Sequence, residues 1–112
     1  MIVREFVVAE GREEDFRKIF GPEGIWSELL RRSAEYLGTD CRLEAEAERR
    51  FRVLDYWLSH ESFEDFRRQY QQEYEKFSRL IASEGLVERE TLLGSFYRGD
   101  SDFDEGIDLV PS

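Results

Sequence analysis

The period of apolar and polar positions changes several times along the chain, and each change marks an element. Residues 2–9, IVREFVVA, are apolar on both alternating faces. Ile2, Phe6 and Val8 fall on one side and Val3, Val7 and Ala9 on the other, which predicts a central strand. Gly11 closes it. The following EEDFRKIF predicts a helix, because its early acids suit the N-terminal dipole and Phe16, Ile19 and Phe20 share one side. GPEG at 21–24 interrupts that helix. Pro22 fits the first turn of a resumed helix with Ile25, Trp26, Leu29 and Leu30 at helical spacing, expected to run on to Gly38.

From Thr39 the period falls to two. Cys41, Leu43, Ala45 and Ala47 face one way and Arg42, Glu44, Glu46 and Glu48 the other, the pattern of a strand with one wet face at a sheet edge. A turn around Arg49 and Arg50 leads to FRVLDYWL at 51–58, apolar on both faces, although no Gly, Asn or Pro fixes the turn or its register. Ser59 or Ser62 caps the next helix, Ser62 with Asp65 three residues on. Phe63, Phe66, Tyr70, Tyr74, Phe77 and Ile81 then recur at spacings of three and four, one continuous inward stripe that Gly85 ends. LVERETLLGSFY at 86–97 reads as the last strand, with Gly94 as a bulge.

The order β-α-β-β-α-β predicts an α+β, ferredoxin-like domain over 1–98, a four-stranded antiparallel sheet with two helices on one face. Two helices cover one face only, whereas the first and third strands are apolar on both. A second copy of the chain is the expected cover, which makes the protein a homodimer.

Composition then narrows the function. The 112 residues, 40% hydrophobic, suffice for one core. No run approaches the roughly 18 apolar residues of a membrane span, and Arg4 and Glu5 stand where a signal peptide needs its hydrophobic region, so a soluble, cytoplasmic protein is expected. A net charge of -10, with arginines interleaved among acids, disfavours nucleic acid and anionic membrane as partners. Five of those charges, Asp100, Asp102, Asp104, Glu105 and Asp108, belong to an acidic tail at 99–112 that is too polar to fold alone. Its spacing imitates a calcium loop, but glycine falls at relative position 7 and Pro111 takes the place of the bidentate Glu, so no calcium site is expected. One Cys and one His make neither a disulfide nor a zinc cluster, and no metal is expected.

The G-x-x-G-x-W of Gly21, Gly24 and Trp26, the Y-L-G-T of Tyr36 to Thr39, the D-x-W-x-S of Asp55, Trp57 and Ser59, the stripe of Phe63, Phe66 and Tyr74, and the closing G-x-F of Gly94 and Phe96 give the chain a familiar outline. Over about residues 2–97 it resembles the antibiotic-biosynthesis monooxygenase-like group of the dimeric α/β-barrel superfamily. The resemblance implies protomers paired into a barrel and a cavity between sheet and helices. It also implies either cofactor-free oxygenation of polycyclic phenols or haem degradation, at a site combining an asparagine, a strand tryptophan and a histidine or tyrosine on the next helix. Trp57 matches the tryptophan; the chain contains no asparagine, and His60 stands at the start of the helix rather than further along it.

Five residues follow as candidates. Trp57, Trp26 and Tyr36 offer flat faces to a planar aromatic ligand, against the alternative that they only pack. His60, as the chain's one imidazole, is the side-chain type suited to a general base, against an ordinary exposed position in a first helical turn. Asp55 lies in an otherwise apolar strand, so it either pairs with an arginine, Arg4 or Arg52, or faces a cavity where a raised pKa makes it a base. Cys41 reads as structural. The expected function is a cofactor-independent monooxygenase-like protein that binds a planar aromatic molecule; the alternative is a non-catalytic binding or oligomerisation module of the same fold.

Overall fold

Alternation along the first strand puts Ile2, Arg4, Phe6 and Val8 on one face, and three of these four are core hydrophobics. In the computed structural model, which describes residues 1–44 and 48–96, that strand is β1, Ile2–Val8. It is followed by α1 (Glu13–Phe20), α2 (Ile25–Leu30), β2 (Tyr36–Leu43), β3 (Arg50–Trp57), α3 (His60–Gln69), α4 (Gln71–Ser83) and β4 (Val87–Ser95). The sheet is antiparallel with strand order β2-β3-β1-β4, the ferredoxin-like arrangement expected, and β2 is an edge. Ala45 and Ala47, Tyr97 and the acidic tail lie outside the described residues. Among the described residues no helix is long and apolar enough to cross a membrane.

The helical layer fills the space above β1 and β3 with rings. Phe16 lies 5.2 Å from Phe6, 4.9 Å from Phe20 and 4.9 Å from Phe51, centroid to centroid. Such tilted pairs are favoured by the ring quadrupoles as well as by area buried. The break between α1 and α2 depends on close backbone approach at Gly24, where a Cβ would stand 2.3 Å from the Ile19 carbonyl oxygen and 2.7 Å from that of Lys18.

Two expectations are corrected. The resumed helix does not reach Gly38: α2 ends at Leu30, and turns in which Ser33 N–H donates to the Leu30 carbonyl and Tyr36 N–H to that of Ser33 deliver the chain into β2. Tyr36 and Leu37 are therefore strand residues, and Gly38, at φ +142°, lies where the β2–β3 register skips a residue. The long second helix is two, broken at Tyr70 (φ -113°, ψ 33°), with both halves still facing the core through Phe66 and Ile81. Neither Pro nor Gly marks that break. Of the two possible caps it is Ser59 Oγ that accepts the Ser62 N–H, at 3.1 Å. The expected bulge in β4 is present, as the register steps from Val3 opposite Gly94 to Arg4 opposite Leu92.

Candidate functional site

Asp55 is the one acid on the helix-facing side of β3, between Val53 and Trp57, and its side chain is only 4% exposed. A buried carboxylate needs donors on every side. Thr39 of β2 donates its hydroxyl to Oδ1 at 2.6 Å, Trp26 of α2 donates its indole N–H within 3.1 Å of both oxygens, and Arg4 of β1 donates from Nη2 to Oδ2 at 3.2 Å. Arg4, not Arg52, is therefore the partner; Arg52 lies with Glu5 and Glu44.

The network continues away from the carboxylate. Tyr36 Oη is 2.5 Å from Thr39 Oγ1 and 3.2 Å from Ser27 Oγ, and Ser27 donates to the Gly21 carbonyl at 3.2 Å. Thr39 spends its proton on Asp55, so Tyr36 has one proton for two acceptors. The three short motifs at Gly21–Trp26, Tyr36–Thr39 and Asp55 thus converge on one hydrogen-bonded cluster that ties α2 to β2 and β3. Their shared role is to hold the helix on the sheet.

The Arg4 guanidinium lies 4.8 Å from the Trp26 ring centre and 5.3 Å from that of Phe6, so flat apolar faces enclose it. Nε is buried with no hydrogen-bond partner among the described residues, and Nη1 stands 3.6 Å from Glu90 of β4, beyond hydrogen-bond range. Arg4 also lines a cavity of about 310 Å³ between the β1–β4 side of the sheet and helices α3 and α4. Trp26, Asp55, His60, Phe63 and Tyr74 line it as well. A second cavity of about 230 Å³ shares Arg4, Trp26 and Glu90 and extends under α4 to Ile81. The larger one stands at the small end of the roughly 300–1,000 Å³ range of small-molecule sites.

Of the five candidates, Asp55, His60 and Trp26 meet at this cavity. His60 opens α3 at its rim, its side chain 51% exposed and Nε2 3.6 Å from Glu64. Trp57 and Tyr36 do not line it. Trp57 is 4% exposed beneath α3, with ring centres 5.6 Å from Phe63, 5.2 Å from Phe66 and 5.4 Å from Tyr36, so its faces are already covered. The indole nearest the cavity is Trp26. Burial pushes the Cys41 thiol up to about 11, partly offset by Arg17, which leaves it protonated and unreactive at neutral pH.

Sequence reasoning missed Arg4, Arg67, Tyr74 and Glu90 as cavity residues. For Arg4 the signal was present: a basic residue at the inward position between Ile2 and Phe6 breaks the apolar face of β1. Glu90 gave none, since β4 is exposed along nearly all its length.

An antiparallel sheet of this order with a helical layer on one face defines a ferredoxin-like α+β protein. No family model and no curated protein matches the chain. Solved structures that share its fold include PA3566 from Pseudomonas aeruginosa, at 18% identity, TM-score 0.58, covering 88% of this chain and 92% of that one, and SO0527 from Shewanella oneidensis, at 17% identity, TM-score 0.54, covering 81% and 82%.

Proposed function

We propose that the protein binds a planar, mostly apolar small molecule in the cavity between β1, β4 and the α3–α4 layer. The reading rests on one observation: a cavity of about 310 Å³ where the Trp26 ring, the Arg4 guanidinium and the His60 imidazole meet. An indole and a phenyl ring supply apolar contact, and a few polar groups fix orientation, which is the usual build of a small-molecule site.

Following the resemblance, the reaction proposed is oxygenation of a phenol without metal or cofactor. His60 at the rim removes a proton from the keto form of the substrate. The resulting carbanion reduces O2 and forms a C–O bond to it, and the peroxide regains the proton from His60. Loss of water with the last hydrogen on that carbon leaves a quinone carbonyl. One oxygen atom of O2 enters the product and the other leaves as water. His60 is the proposed base, because the Asp55 oxygens are already occupied by Thr39, Trp26 and Arg4. The occupied carboxylate also supports a second reading, a binding module without catalysis in which Asp55 is an anchor.

Tryptophan fluorescence during titration with polycyclic phenols and quinones, followed by oxygen uptake, separates the two. Saturable quenching with uptake that His60→Ala abolishes supports the oxygenase. Quenching without uptake supports the binding module, and no quenching by any compound rejects both. A homodimer paired through the helix-free sheet face completes the proposal; Val3 and Leu54 on that face support it.

A further inference from the structure

We propose that the Arg4–Glu90 pair makes the cavity a charge filter: it accepts an uncharged planar ligand through a carbonyl oxygen and turns carboxylates away. The inference deepens the binding reading above and rests on it. Two guanidiniums, Arg4 and Arg67, face three carboxylates, Asp55, Glu64 and Glu90, around the cavity, with His60 at the rim. The carboxylates outnumber the guanidiniums by one. Arg4 is committed to Asp55 at 3.2 Å, and Arg67 stacks 4.9 Å from the ring centre of Tyr74.

A carboxylate entering this space meets a lining with one more carboxylate than guanidinium, approaches Glu90, and loses its hydration. An uncharged carbonyl avoids both costs. Arg4 Nη1 has a proton to give it, because its nearest carboxylate, on Glu90, stands 3.6 Å away, too far for a good hydrogen bond. The guanidinium is held for this by Asp55 on one arm and by the Trp26 and Phe6 rings on its face. Glu90, with its side chain 51% exposed on β4, sets the sign of the filter without being part of the core.

Calorimetric titration with 9-fluorenone, fluorene and fluorene-9-carboxylate tests it, since the three differ only at one ring carbon. Fluorenone is expected to bind about tenfold more tightly than fluorene, the value of one hydrogen bond from a charged donor, and the carboxylate no more tightly than fluorene. Glu90→Gln, at an exposed position that leaves folding intact, is expected to raise carboxylate affinity about tenfold and to change fluorenone affinity by less than about threefold. Equal binding of all three, tightest binding of the carboxylate, or an unchanged ratio in Glu90→Gln overturns the filter while leaving a binding cavity in place. No binding by any of the three overturns the cavity reading and the filter with it.

Discussion

Trp26 Nε1 stands 3.1 Å from each carboxylate oxygen of Asp55, so one indole N–H joins the short helix α2 to the centre of the sheet. The residues are 29 apart in sequence, and the bond closes over the Arg4 guanidinium. The three groups form a unit in which the cation is matched by the carboxylate and the carboxylate is held in place by the indole and a hydroxyl.

Removing the charge of Asp55 while keeping its shape leaves Arg4 buried without a counter-ion. Asp55→Asn is expected to cost about 3–5 kcal/mol, the usual penalty of breaking a buried pair on one side. Trp26→Phe removes the indole donor and part of the packing. In a double-mutant cycle the two changes are expected to couple by about 1–3 kcal/mol. Urea unfolding of the four proteins measures this, and additive losses would show that Trp26 and Asp55 do not act together.

Thr39 is the shorter contact to the same carboxylate, and Tyr36 leans on its oxygen. Thr39→Val keeps the branched shape and deletes the hydroxyl, leaving two partners short of a bond, for an expected loss of about 1–3 kcal/mol. Thr39→Ser restores the hydroxyl and is expected to recover most of it. Urea midpoints decide, and equal loss in both variants would assign the effect to the missing methyl instead.

Elements with a clean period were legible from sequence, and chain reversals without Gly or Pro were not. The inward stripe from Phe63 to Ile81 located the second helical layer, yet nothing at Tyr70 announced the break, because helical spacing resumes in phase with the core on the far side. Gly38 was read as a helix stop, since a glycine after apolar residues at helical spacing carries the same signal in a strand irregularity as at a C-cap. Asp55 was legible as a residue that must be paired, because a carboxylate in an apolar strand has few other solutions. Glu90 was not, because its place beside Arg4 on the neighbouring strand depends on strand register.

Cys41 reports on burial through its pH response. Its thiol is raised from 9.0 to about 11, chiefly by desolvation. The folded form keeps its proton over that interval while the unfolded form loses it. The thiol's contribution to stability is therefore fully present below about pH 9 and lost as pH rises toward 11. The urea midpoint of wild type is expected to fall more steeply than that of Cys41→Ser across this window, and thiol labelling at pH 8 to be slow until denaturant is added. Parallel midpoints in the two proteins would place the thiol in water.

Val3 and Leu54 face each other across β1 and β3, buried at 6% and 8% exposure, yet alternation puts them on the side of the sheet away from the helices. Their flank is polar: Glu5 lies 3.7 Å from both Arg50 and Arg52. An apolar pair that no helix covers, with ion pairs on one flank, suits a twofold pairing in which identical sheets meet, since the same face then serves both copies. Light scattering at micromolar concentration is expected to give twice the chain mass of 13.4 kDa. Tyr56→Glu, which puts a charge at a half-buried position on the same face of β3, is expected to return it to one chain mass while the circular dichroism of the fold persists. A wild-type mass of one chain would reject the pairing, and a dimer that survives Tyr56→Glu would move it to another face.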